Sequence, residues 1–241
     1  MDDPSTSEPT VVHQDEHLLI VHKPPGLPTT SPTPSKVSLS AWVATNLPHG
    51  TRAHATSRLD SPVSGLVTFA LTKVANTHLL RARAAGAYAR VYLGITASPV
   101  AFASAEWTWP ISIDPANAKR RLATPGKGER DACTRCELLS EAPSGSLLRL
   151  TPETGRTHQL RVHASEAKVP LFGDHMYGGP RRVTLTDGRV VTARRAMLHC
   201  LSVSFPRVDD DGAPLTFRAT VDADFADAWR ELGGSEEHLA S

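Results

Sequence analysis

The apolar segments of this chain are short. The longest, such as Leu18–Val21 and Gly65–Leu71, fall far short of the ~20 residues that a membrane-spanning helix needs. A chain patterned in this way builds its core from short elements. Its 241 residues, 40% of them hydrophobic and 21% charged, are too apolar for a disordered chain and suffice for one large domain or two small ones. The first 19 residues lack a basic region followed by an apolar one, so no secretory signal is expected. Three cysteines make no paired framework and fit a reducing cytoplasm. Cys133 and Cys136 form a single CxxC in a strand-like run. With no second pair to complete a zinc site, they read as ordinary buried or half-buried thiols.

A formal charge of +1 conceals an uneven distribution. Asp2, Asp3, Glu8, Asp15 and Glu16 make residues 1–19 acidic, and residues 208–241 are acidic as well, leaving a strongly basic body between two acidic ends. Such a body suits a polyanionic partner. An arginine-rich solvated surface explains the charge alone equally well.

Residues 17–22 (HLLIVH) run into Lys23-Pro24-Pro25-Gly26, which predicts a strand stopped by a turn. Residues 27–38 read as a loop and 39–47 as a short helix. Residues 65–71 read as a buried strand. Val74, His78, Leu79 and Ala82 recur at roughly helical spacing over 73–85, with Gly86 as the C-cap. Residues 87–95 alternate as a strand, with Tyr88, Arg90 and Tyr92 on one face. Residues 112–130, with Lys119-Arg120-Arg121 and Lys127, read as a long basic loop. A hairpin is expected for 132–139 and 146–151, a helix for 157–167 with Thr157 as its N-cap, and a strand for 195–205. Strands outnumber helices and no βαβ rhythm repeats. The expected class is therefore α+β with a mostly antiparallel sheet. The expected organisation is a disordered acidic leader over 1–10, one catalytic domain over 11–232 and a flexible tail over 233–241.

Two segments carry chemistry. In Ser57-Arg58-Leu59-Asp60-Ser61-Pro62-Val63-Ser64-Gly65-Leu66 an acid precedes a buried strand, on the kind of anchored loop that holds catalytic groups. Alone, Asp60 reads more economically as a turn cap. Thr154-Gly155-Arg156-Thr157-His158-Gln159-Leu160-Arg161-Val162-His163 gathers two Arg, two His and a Gln at a helix start, a ready anion site. His158 and His163 fall about 140° apart around a helix, so a shared metal is rejected.

The order and spacing of these residues resemble the RluA family of RNA pseudouridine synthases. Asp15 to Gly26 resembles its opening strand and Lys-Pro-x-Gly turn. Arg58-Leu59-Asp60 followed by Ser64-Gly65-Leu66 resembles its catalytic motif. Tyr88, six residues before Gly94, resembles the tyrosine of its next strand, and Thr154 to His163 matches a third motif almost without change. Gly173-Asp174 with Tyr177-Gly178, then Arg195 with Leu198-His199, follow in order. Together these pieces cover about residues 11–206. Ser57 stands in place of a usual His, Gly86 in place of a Lys, and Ser61 and Val63 in place of a common Arg and Thr. The early first strand implies that no S4-type domain precedes the body.

The resemblance implies the pseudouridine synthase fold and a cofactor-free isomerisation of a uridine in rRNA or tRNA, with the base flipped out of its stack. It implies Asp60 as the carboxylate nucleophile and Arg161 as its cationic partner. Tyr88 is implied to pack on the detached base and take part in proton removal. Arg58, Arg156 and Leu198 are implied to bind substrate, Arg58 by holding the flipped state. No metal, no membrane and a monomer in the cytoplasm are expected. Two other readings are a catalytically silent RNA-binding relative and a nucleoside glycosidase. The second needs another well-placed carboxylate, for which Asp174 is the only motif acid and reads as structural.

Overall fold

The structure is a computed structural model that describes residues 8–31, 37–48, 50–208 and 213–239. In chain order its elements are β1 (Thr10–Gln14), β2 (Leu18–Lys23), α1 (Leu39–Asn46), β3 (His54–Ala55), β4 (Ser64–Ala70), α2 (Lys73–Ala84), β5 (Ala89–Ile95), β6 (Ser104–Trp107), β7 (Ser112–Asp114), β8 (Asn117–Leu122), β9 (Thr134–Ala142), β10 (Gly145–Pro152), α3 (Gln159–Glu166), β11 (Arg182–Thr184), β12 (Val190–Thr192), β13 (Leu198–Phe205), β14 (Leu215–Arg218) and α4 (Ala223–Glu231). This is an α+β fold with mostly antiparallel pairing, as expected. No helix among the described residues is long and apolar enough to cross a membrane. The chain divides into two compact units, Met1–Arg90 with Cys200–Thr220 and Val91–His199 with Val221–Ser241.

The first unit orders its strands β1-β2-β4-β13, with β3 also on β4 and β14 on β13. The register of β2 on β4 runs from Leu18↔Ala70 to Lys23↔Gly65. Every residue of β4 is buried, which is why its sequence is a continuous apolar run rather than an alternating one. Helix α2 opens on Thr72, whose side chain accepts from the Ala75 amide at 3.1 Å. It closes as a Schellman motif: Gly86 N–H donates to Arg83 O and Ala87 N–H to Ala82 O, with Gly86 at φ +72. The inward stripe is Ala75, Leu79 and Ala82, whereas Val74 is exposed. Residues 1–7 of the expected leader lie outside the described residues, and Thr10 already pairs with His22 in β1.

The second unit orders its strands β5-β10-β9-β6. The β9–β10 hairpin turns at Pro143-Ser144, as the sequence predicts. Residues 112–130 are not one long loop. An Asx turn, in which Ala116 N–H donates to Asp114 Oδ1 at 2.8 Å, closes the β7–β8 hairpin, and the Arg121 amide is fixed by the Tyr177 hydroxyl at 3.0 Å. Thr157 does not cap α3. That position falls to His158, at φ 59 and without a side-chain capping bond.

Of the flexible tail expected over 233–241, residues 240–241 lie outside the described residues, and Glu236–His238 form a short 3-10 helix. Helix α4 buries Phe225 and Trp229, the Trp229 indole donates to Ser235 O at 2.7 Å, and Leu239 is buried. The spacing of Phe225, Ala228, Trp229 and Leu232 was the available signal for α4.

Candidate active site

Asp60 is held at the foot of β4 by a set of short backbone ties. Thr29 Oγ1 donates to the Leu59 carbonyl at 2.9 Å and accepts from the Leu59 amide at 3.0 Å. The Val63 amide donates to Asp60 O at 3.0 Å and closes the turn. Ser61 and Gly26 exchange bonds, Gly26 N–H to Ser61 O at 2.8 Å and Ser61 Oγ to Gly26 O at 2.6 Å. Beneath them lies Lys23, 0% exposed, its ammonium donating to the carbonyls of Pro24, Leu27 and Ser61. A buried charge is tolerated only when its donors are satisfied, and three carbonyls do this here. Asp60 itself is half-buried and Arg58 is exposed. Gly65, at φ +108, is required at the start of β4, because a Cβ there would sit 2.2 Å from Cys200 O.

Tyr88 stands just before β5 and is 8% exposed. Its hydroxyl donates to Thr68 Oγ1 at 2.8 Å, its ring stacks on Phe205 at 5.4 Å, and the Arg83 guanidinium lies 4.7 Å from the ring centroid. The hydroxyl is thus engaged by Thr68 and not by Asp60. Two of the departures from the family pattern, Ser57 and Gly86, have local reasons. Ser57 Oγ accepts from the Thr68 amide at 3.0 Å, so this small side chain completes the backbone bonding of β4. Gly86 provides the left-handed residue that ends α2.

In the second unit, Arg161 on α3 is 5% exposed and makes a two-point bond to Asp174, Nε to Oδ2 at 2.7 Å and Nη2 to Oδ1 at 2.7 Å. Its guanidinium also lies 5.0 Å from the Tyr177 ring centroid. The structural reading of Asp174 therefore acquires a specific content: it orients Arg161. Gln159 closes the preceding loop. Its Oε1 accepts from Thr154 Oγ1 and the Arg156 amide, and its Nε2 donates to Cys133 O and Thr134 Oγ1. Arg156 is half-buried, its Nε donating to Asp131 O at 2.9 Å. His158 accepts its left-handed backbone while its Nδ1 bonds the Tyr177 hydroxyl at 2.7 Å.

Leu198 is buried at the start of β13, and its carbonyl accepts from Arg195 Nη1 at 3.3 Å. Arg195 turns to the acidic head of α4, bonding Asp224 through Nε and Nη2 at 2.7 and 2.8 Å. The C-terminal acids are thereby partly neutralised within the fold, a role hidden from the sequence because α4 was not foreseen. The thiols do not converge on one face: Cys136 is buried and Cys133 precedes β9 half-buried. Burial pushes Cys133 up to about 11 and Cys136 up to about 12, so neither is a thiolate near neutrality.

The site residues fall on both units: Arg58, Asp60 and Tyr88 on the first, Arg156, Arg161 and Leu198 on the second. A half-buried carboxylate thus sits on a clamped turn at the foot of a buried strand, within a mostly antiparallel α+β fold. A profile of the RNA pseudouridylate synthase family matches residues 17–166. The chain is 30% identical over 228 residues to ribosomal large subunit pseudouridine synthase D of Neisseria meningitidis serogroup B, covering 89% of this chain and 58% of that protein. It is 31% identical over 217 residues to the dual-specificity RNA pseudouridine synthase RluA of Haemophilus influenzae, covering 88% and 93%. The chain thus spans little more than half the length of the Neisseria D-type relatives it matches. In three dimensions it is similar to human RNA pseudouridylate synthase domain containing 4, with TM-score 0.73, 20% identity and 92% of each chain covered. Human RNA pseudouridylate synthase domain containing 1 follows at 0.70 and 20% identity, with 98% of each covered. The chain belongs to the RNA pseudouridylate synthase family, in its RluA-like branch.

Proposed function

We propose that this chain isomerises a specific uridine of rRNA or tRNA to pseudouridine, acting as a cytoplasmic monomer. The observation that carries the reading is the clamped turn presenting Asp60, within a chain of this family. The reaction breaks the bond between uracil N1 and the sugar C1′, turns the base, and joins C5 to the same C1′. The proton lost from C5 is balanced by one gained at N1, so no external group or cofactor is consumed.

Asp60 is assigned the anionic attack, for which a rigid turn avoids reorganisation during the reaction. Arg161, with two of its donors fixed by Asp174, is assigned the cationic partner role. Tyr88 is assigned contact with the base on its place in the strand motif. Arg58, Arg156 and Leu198 are assigned to substrate binding. The basic body provides for phosphates. The names of the relatives, which refer to the large ribosomal subunit and to dual specificity, support RNA as the substrate class.

The experiment is conversion of unmodified rRNA and tRNA by the purified protein, read by tritium release from RNA labelled at uracil C5 and mapped by carbodiimide-dependent primer-extension stops. Wild type is expected to form pseudouridine at one position or a few, and Asp60→Asn none, with unchanged thermal stability. Turnover by Asp60→Asn near the wild-type rate would overturn the assignment.

A further inference from the structure

We infer that Trp109 is a base-stacking platform for single-stranded RNA, beside a basic strip made by Lys127, Arg130 and Arg156; this rests on the RNA reading above. Trp109 is 36% exposed and is the one aromatic among the large hydrophobics exposed in the described residues. A lone exposed apolar side chain needs no explanation in itself. What distinguishes Trp109 is how firmly its backbone is held. Its carbonyl can only accept, so the 2.9 Å contact makes His163 Nε2 the donor. Nδ1 of the neutral ring then accepts from Thr134 Oγ1 at 3.0 Å, and that oxygen accepts from Gln159 Nε2 at 3.0 Å. Gln159 Oε1 in turn takes the Arg156 amide at 3.0 Å. This directed chain ties the indole-bearing residue to the loop ahead of α3. The indole meets His163 edge-on, with centroids 6.0 Å apart at 76°.

The charge beside it suits a phosphate backbone. Ile111 and Arg130 exchange both backbone bonds, which places Arg130 across from a residue two along from Trp109. Asp131, the next residue, gives its carbonyl to Arg156 Nε. The Lys127 carbonyl is bound by the Ile113 amide. Neither Lys127 nor Arg130 forms an ion pair among the described residues. Of the acids nearby, Glu129 is engaged by the Gly126 amide and Asp131 is exposed. An aromatic face flanked by cations is the arrangement that binds unstacked bases, which stack on the ring while the cations meet phosphates.

The test is titration of a labelled oligouridylate and a substrate transcript across a salt series. Trp109→Ala is expected to weaken binding about tenfold with an unchanged salt slope, because stacking releases no counterions. Trp109→Phe is expected to retain most of the affinity. Arg130→Ala is expected to reduce the slope by about 0.7 for a lost single-strand phosphate contact. In turnover, Trp109→Ala is expected to raise KM and leave kcat unchanged. The His163 bond goes to a backbone carbonyl, so it survives either substitution. Should Trp109→Ala not fold, RNA-induced quenching of indole emission, lost in Trp109→Phe, reads the same contact. Wild type that binds RNA while Trp109→Ala binds equally well would overturn this inference alone. Wild type that neither binds nor modifies RNA would overturn the RNA reading and this inference with it.

Discussion

Tyr88 donates its hydroxyl to Thr68 Oγ1, and the amide of the same Thr68 donates to Ser57 Oγ, three residues before Asp60. The tyrosine singled out by its motif is therefore linked by hydrogen bonds through β4 to the loop of the proposed nucleophile. The structural bond is observed, and the proposed reaction would give the same hydroxyl a second, chemical task.

Tyr88→Phe separates them. Loss of the Thr68 bond is expected to cost about 1 kcal/mol of stability. Loss of proton transfer is expected to lower single-turnover rates about a hundredfold or more with RNA affinity retained. Denaturant unfolding and rapid-quench assays measure the two effects independently. Normal turnover in a slightly destabilised variant would leave the bond to Thr68 as the hydroxyl's whole role.

Asp174→Asn leaves the Arg161 guanidinium buried against a neutral amide. Removing one member of a buried ion pair costs about 3–5 kcal/mol, far more than a surface pair. The expected result is a markedly lower unfolding midpoint, together with reduced activity as Arg161 loses its orientation. A midpoint equal to wild type would show that Asp174 does not hold Arg161 in solution.

Acid should destabilise the fold before its carboxylates titrate. Burial pushes His163 below the usual imidazole range, and burial does the same to His199 despite the opposing effect of Asp222. Both are held neutral in the folded chain, while their unfolded counterparts take up protons below about pH 6.5. A depressed folded value means that the contribution is complete above pH 6.5 and is lost as pH falls below it, by about 1.4 kcal/mol per pH unit for each histidine. Thermal melts from pH 8 to 5 are expected to show a plateau and then a decline from about 6.5. A plateau that extends to pH 5 would contradict the neutral, buried assignment.

The acidic C-terminal segment is expected to behave as structure and not as a detachable tail. Truncation after Thr220 removes Phe225 and Trp229, both fully buried, and leaves Arg195 without Asp222 and Asp224. Such a truncation should yield insoluble or unfolded protein. A soluble, cooperatively folded product ending at Thr220 would refute the docking of α4.

The amino-acid sequence by itself determined the elements whose signal is local. The strand ending at Lys23, the apolar run of β4, helix α2 with Gly86 at its end and the β9–β10 hairpin all follow from periodicity and turn residues a few positions apart. The motifs of the family were legible for the same reason, as short strings with fixed spacing. Tertiary structure decided what depends on distant partners. The basic segment at 112–130 became a hairpin whose Arg121 amide is met by the Tyr177 hydroxyl, 56 residues along the chain. Arg161 found Asp174, Tyr88 found Thr68, and Arg195 found the head of a helix that the sequence reading did not foresee. Periodicity reports which face of an element is apolar. It carries no record of which buried donor meets which acceptor, because that pairing is fixed only when the elements pack and every polar group taken from water must find a partner.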